Sequence, residues 1–221
     1  MRDLLNPDRP LLSFLTKMTY SAYLNILWLI CSLPVFTIGA STTALFYVTL
    51  KMAEDRDDGI TGMFFRAFRQ NFVPATKIWL ILLAVGGFFG VDAYVLSRIW
   101  SENILWTLLS AILIAAAIAY LIVLLYAFPL LARFENTTFG ILKTSLLVGL
   151  RYLVCTLLMA AVYAFMGWLV IFVFTPAFLL GFGCCAMLCS FFLVKVIHAC
   201  GGDPDQNQPG DEGEDDQEAE E

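Results

Sequence analysis

The sequence predicts an all-α fold, a polytopic membrane helix bundle of about six spans, with five as the rival count. Three observations lead there. Only 14% of the 221 residues are charged and 60% are hydrophobic, whereas soluble domains average roughly 25% charged residues. The mean hydropathy is +0.78, and several apolar runs reach the ~20 residues a helix needs to cross hydrocarbon. Lysine and arginine, finally, gather in a few segments between those runs.

The chain opens on "MRDLLNPDRPLL", with Asp3, Pro7 and Asp8. It lacks the basic, apolar and small-residue order of a cleavable signal, so the first hydrophobic helix is expected to be retained. Hydropathy alone would draw one long segment from Ser21 to Leu50, but its middle reads "LPVFTIGAST". Pro34 has no amide hydrogen and disfavours helix in the residue before it, while Gly39 eases a turn. Splitting there gives spans at 11–33 and 35–53, with Ser41, Thr42 and Thr43 near the outer surface. Their hydroxyls can satisfy carbonyls freed by the break.

Further along, 75–100, 103–131, 150–175 and 177–199 read as spans, the outer pairs joined by "SEN" and by the break at Thr175-Pro176. Short interfacial helices are expected at 60–72 and 137–149. Segments 51–77 (Lys51, Arg56, Arg66, Arg69, Lys77) and 132–152 (Arg133, Lys143, Arg151) are cytoplasmic under the positive-inside rule. Two crossings before residue 53 also bring Arg2, Arg9 and Lys17 inside. Six spans then leave only Arg98 facing out, with both termini cytoplasmic; five would strand the N-terminal cations outside.

A weak internal repeat agrees with this. Sliding by 78 residues places Gly62 on Gly140, Phe64 on Leu142, Ala67 on Ser145, Phe68 on Leu146 and Phe72 on Leu150. Residues 1–200 thus form one membrane domain. Residues 201–221 hold ten of the 19 acidic residues and no Lys or Arg, a disordered acidic cytoplasmic tail by composition.

Three stretches also resemble a known family: "NPDRPLLSFLTKMTYSAYLNILWLICSLPVFTIGASTTALFYVTLKM", "FFRAFRQNFVPATKIWLILL" and "YAFPLLARFENTTFGILKTSLLVGLRYL". Together they are similar to the YesL-like bacterial membrane proteins, a family of unknown function, from about residue 3 to residue 198. The resemblance implies a small integral protein of the bacterial plasma membrane, of a kind often encoded beside carbohydrate ABC transporters and polysaccharide-degrading enzymes. It carries over no catalytic or binding residue.

Enzyme chemistry finds no constellation in the sequence. "GAST" at 39–42 has a serine, but the single histidine, His198, belongs to the opposite end of the membrane, far beyond the ~3 Å a nucleophile needs from its base. No phosphate loop or paired-histidine metal motif is present, and no cofactor is expected. Ala177, Gly181, Cys185 and Cys189 recur every fourth residue, a small-residue packing stripe rather than a metal set; Gly86 and Gly90 form a second.

Two polar residues lie inside spans. Asp92 is either a structural polar contact or a lining residue of a cavity, since an intramembrane carboxylate is costly unless it is used. Asn25 reads as interhelical glue. In the helix "GITGMFFRAFRQNF", Phe64, Phe65, Phe68 and Phe72 form a face with Arg66 and Arg69 beside it, suited to lipid headgroups or to a partner.

The expected function is a non-enzymatic accessory component linked to carbohydrate uptake or utilisation. Its partners would be the bilayer and carbohydrate ABC transporter subunits, with self-association open and nucleic acid excluded. A small transporter or channel for an unknown solute is the alternative.

Overall fold

The computed structural model describes residues 10–54, 59–98, 104–134, 137–172 and 178–199. Ala177, the His198 side chain and the acidic tail lie outside the described residues. Within them the chain forms eight α-helices and no strand: α1 (Pro10–Cys31), α2 (Ile38–Ala53), α3 (Ile60–Gln70), α4 (Phe72–Arg98), α5 (Ile104–Leu131), α6 (Thr138–Arg151), α7 (Leu153–Phe172) and α8 (Phe178–Ala199). The fold class is therefore the helical bundle that the composition demands. Among the described residues four segments are long and apolar enough to cross a membrane: Val35–Ala53, Phe72–Leu96, Trp106–Leu131 and Leu153–Phe172.

α1 and α2 part at the expected place. A single 3-10 turn, Val35–Thr37, follows Pro34, whose φ of −75° and ψ of 121° are extended. The hydroxyl that serves the break is that of Thr37, 2.6 Å from the carbonyl oxygens of both Cys31 and Pro34. Ser41, Thr42 and Thr43 instead bond back to the carbonyls of Thr37, Ile38 and Gly39, one turn earlier.

α2 is the centre of the molecule. In its most apolar 18-residue stretch 72% of residues are buried, against 11%, 6% and 11% for α4, α5 and α7. Leu45, Val48, Leu50 and Met52 are fully enclosed, packed among α1, α3, α4, α5 and α8. The outer helices leave Phe88, Val91, Ile112, Ile118, Phe165 and Ile171 uncovered. Such a distribution suits a chain whose solvent is hydrocarbon, where helix contacts come from packing and polar pairs rather than from escape from water.

The repeat is visible in the helix ends. α2 stops at Ala53 and α5 at Leu131; α3 starts at Ile60 and α6 at Thr138, each 78 residues on. Ala67 and Ser145, matched by the same shift, are both fully buried. Each short helix folds back along the long one before it. A Cβ on Gly149, near the end of α6, would meet Ile122 and Tyr126 in the second half of α5. Gly59, at φ 72°, supplies the left-handed residue where the first unit reverses.

This backfolding changes one expectation. Hydropathy puts the Pro34–Gly39 break and the start of α4 on opposite sides of the membrane. In the structure Gly39 touches Ala75 and Trp79, in the first two turns of α4, and the Trp79 indole donates to the Val35 carbonyl at 2.8 Å. The 11 residues of α3 return the chain by ~16 Å at 1.5 Å per residue. α4 therefore starts beside the beginning of α2, not at its end.

Candidate functional site

Two polar features stand out among the described residues. The first is a seam between α1, α2 and α8. Asn25 is fully buried, and its side-chain oxygen accepts the Gly183 amide at 3.0 Å. The Ser21 hydroxyl donates to the Gly183 carbonyl. A side chain at Gly183 would sit 2.4 Å from the Ser21 carbonyl oxygen, so α1 and α8 touch backbone to backbone there. Further along, the Trp28 indole donates to Thr42 at 3.0 Å, and Ser32 meets Ser41 at 2.6 Å. Near the other end of α2, Ser190 donates to Thr49 at 2.8 Å. Each hydroxyl has a partner, so the seam binds helices together. Asn25 is part of it, as its position in the first apolar run suggests.

The second is an ion pair. Glu54 is the residue at which α2 ends, its amide still bonded to the Leu50 and Lys51 carbonyls. Arg133 lies in the turn closing α5, its amide on the Leu130 carbonyl at 3.1 Å. Their side chains, 7% and 6% exposed, meet with Arg133 Nη2 2.5 Å from Glu54 Oε1. A carboxylate at a helix C-terminus opposes the dipole, whereas a cation there is favoured. Arg133 thus offsets both the carboxylate and the two converging carbonyl ends. Breaking such a pair one-sidedly costs about 3–5 kcal/mol. It bridges equivalent points of the two repeat units, between α2 and α5.

Neither residue stands out in the sequence as a site. The available signal was opposite charges just after matched helix ends, Glu54 after Ala53 and Arg133 after Leu131.

Asp92 lies half-buried in the C-terminal half of α4, and no hydrogen bond or ion pair holds it among the described residues. Arg98 turns to the Tyr94 ring instead, 5.5 Å from its centroid. The aromatic face of α3 is a correction. Phe64 is fully buried, and Phe68 and Phe72 are half-buried against the core. That face covers α2, because α3 folds back along it; the exposed aromatic is Phe65, with Arg66 and Arg69.

Of the packing glycines, Gly86 meets the Tyr120 hydroxyl, which donates to the Leu82 carbonyl at 3.0 Å. A side chain at Gly90 would meet nothing within 4 Å among the described residues, so this pair forms no helix seam inside the chain. Gly181 is closed over by Met166 of α7, and Cys185 and Cys189 are buried on the same helix. Among the described residues no group of three or more His, Cys, Asp or Glu is placed to hold a metal.

Apolar helices around a buried polar seam and a buried ion pair define the class: a helical membrane-protein bundle. Comparison with known proteins gives its relatives. Residues 21–93 match the model of a family described as "Protein of unknown function, DUF624". The chain is 28% identical over 199 residues to the uncharacterized protein YesL of Bacillus subtilis (strain 168), covering 88% of this chain and 91% of that protein. It is 29% identical over 183 residues to the uncharacterized protein YteU of the same organism, covering 81% and 76%. The chain is thus similar to these two proteins along most of its length. No solved structure matches it.

Proposed function

We propose that this protein is a non-enzymatic accessory component of the bacterial plasma membrane that acts through helix contacts with a partner. The single observation supporting this is the contrast between α2, sheathed on all sides, and α4, α5 and α7, whose apolar faces stay open along most of their length. The polar groups of the interior serve the bundle itself: the seam and the ion pair are closed within the chain. The link to carbohydrate uptake, with ABC transporter subunits as partners, rests on the resemblance to YesL-like proteins. The basic segments 51–77 and 132–152 fit a cytoplasmic placement under the positive-inside rule.

The test is crosslinking in native membranes of cells grown on polysaccharide, read by mass spectrometry. Reproducible links to carbohydrate-transporter subunits support the reading. Links only within the protein, at normal expression, reject it.

A transporter or channel is the second reading, favoured by the buried Glu54–Arg133 pair at the junction of two repeat units. Units joined by an ion pair have the build of bodies that rock against each other. Solute flux in proteoliposomes that disappears in Asp92→Asn or Glu54→Gln, with folding intact, would establish it.

A further inference from the structure

We infer that α3 carries a binding site for the phosphodiester headgroup of an anionic phospholipid, formed by Phe65, Arg66, Arg69 and Gln70. These four side chains line an open pocket of about 460 Å³. Both guanidiniums are exposed, and no ion pair engages either among the described residues. The platform beneath them is fixed: Phe64 and Ala67 are fully buried against α2. Phe64 also meets Phe65 edge-on at 5.6 Å and Phe68 at 6.4 Å, so the pocket wall is braced from behind.

Three arguments identify the occupant. The first is chemistry: planar guanidiniums match phosphate oxygens in paired hydrogen bonds, and two of them one turn apart present a fork to a single anion. The second is position. Arg69 lies three residues before Phe72, where the apolar segment Phe72–Leu96 begins, so a lipid whose phosphate reaches the pocket can lay its chains along α4. Phe65, 44% exposed, offers those chains an apolar wall. The third is the asymmetry of the repeat. Arg66 and Arg69 correspond to Thr144 and Leu147 of α6, so the fold does not require cations at these positions.

The experiment uses the full chain, extracted into mild detergent and examined by native mass spectrometry with added phosphatidylglycerol or phosphatidylcholine. Phosphatidylglycerol should be retained preferentially. Retention should fall roughly 30-fold in Arg66→Gln/Arg69→Gln, about fivefold for each cation near the surface. Lys143→Gln, an exposed cation on α6, should leave it unchanged.

Equal loss in Lys143→Gln, or full retention in the double variant, overturns the site. Displacement of the lipid by inorganic phosphate at equal concentration would make the occupant a free anion and overturn the lipid assignment. Binding that emerges only after removal of residues 201–221 would mean that the acidic tail fills the pocket, and would overturn it as well.

Discussion

A methyl group on Gly39 would fall 2.6 Å from the carbonyl oxygen of Ala75, closer than any unstrained contact permits. The absence of a side chain here lets α2 and α4 meet backbone to backbone, with the Trp79 indole closing over the Val35 carbonyl. Gly39→Val should therefore force α4 away and cost about 1–3 kcal/mol, the range of overpacked cores. Gly39→Ala should cost less. The midpoint of unfolding in mixed detergent, followed by tryptophan fluorescence, measures both; an unshifted midpoint in Gly39→Val would mean that the two helices do not touch there.

Gly183 makes the same argument for α1 and α8. Its amide and carbonyl are taken by Asn25 and Ser21, and a Cβ would lie 2.4 Å from the Ser21 carbonyl oxygen. Gly183→Val should be the more damaging change, since it separates the backbones. Asn25→Leu removes one interhelical bond, worth about 0.6–2 kcal/mol in a membrane bundle. The same unfolding midpoints should rank Gly183→Val below Asn25→Leu, and the reverse order would contradict the close approach.

Much of this architecture is legible in one dimension. The helical class follows from apolar runs too long for anything but helices, and the break at Pro34 from the chemistry of proline itself. The 78-residue repeat leaves traces in Gly62 and Gly140 and in buried Ala67 and Ser145. Hydropathy does not carry the path of α3. The spacing of Phe64, Phe68 and Phe72 is the same whether the face meets lipid or α2, and only the backfolding decides between them. The Glu54–Arg133 pair was hidden for a related reason. Both residues sit in charged loops, where surface exposure is the ordinary expectation, and 79 residues separate them.

Asp92 separates the two functional readings because the fold makes so little use of it. It is half-buried, with no hydrogen bond or ion pair among the described residues. Asp92→Asn removes an intramembrane carboxylate that the fold does not pair, so it should leave stability unchanged or raise it. If purified protein moves any solute across liposomes, the same change should reduce that flux at least tenfold. An accessory protein should keep its crosslinks to partner subunits in this variant. Loss of those links with an unaltered unfolding midpoint would instead place Asp92 at the partner surface.

The ion pair gives the sharpest energetic test, because its single and double variants should move in different ways. Glu54→Leu leaves the Arg133 guanidinium buried at a side-chain exposure of 6%, and Arg133→Met leaves the Glu54 carboxylate at 7%, against the dipole of its own helix. Each should lose about 3–5 kcal/mol. Combining them removes both charges and fills the space with side chains of similar size, so most of that loss should be regained. Additive loss in the double variant would show that the two side chains act separately. Non-additivity would establish that they couple the ends of α2 and α5. A charge exchange, Glu54→Arg with Arg133→Glu, should recover less than the apolar pair. Arginine would still sit at a helix end, but its longer stem would start from α2, where the space is shaped for glutamate.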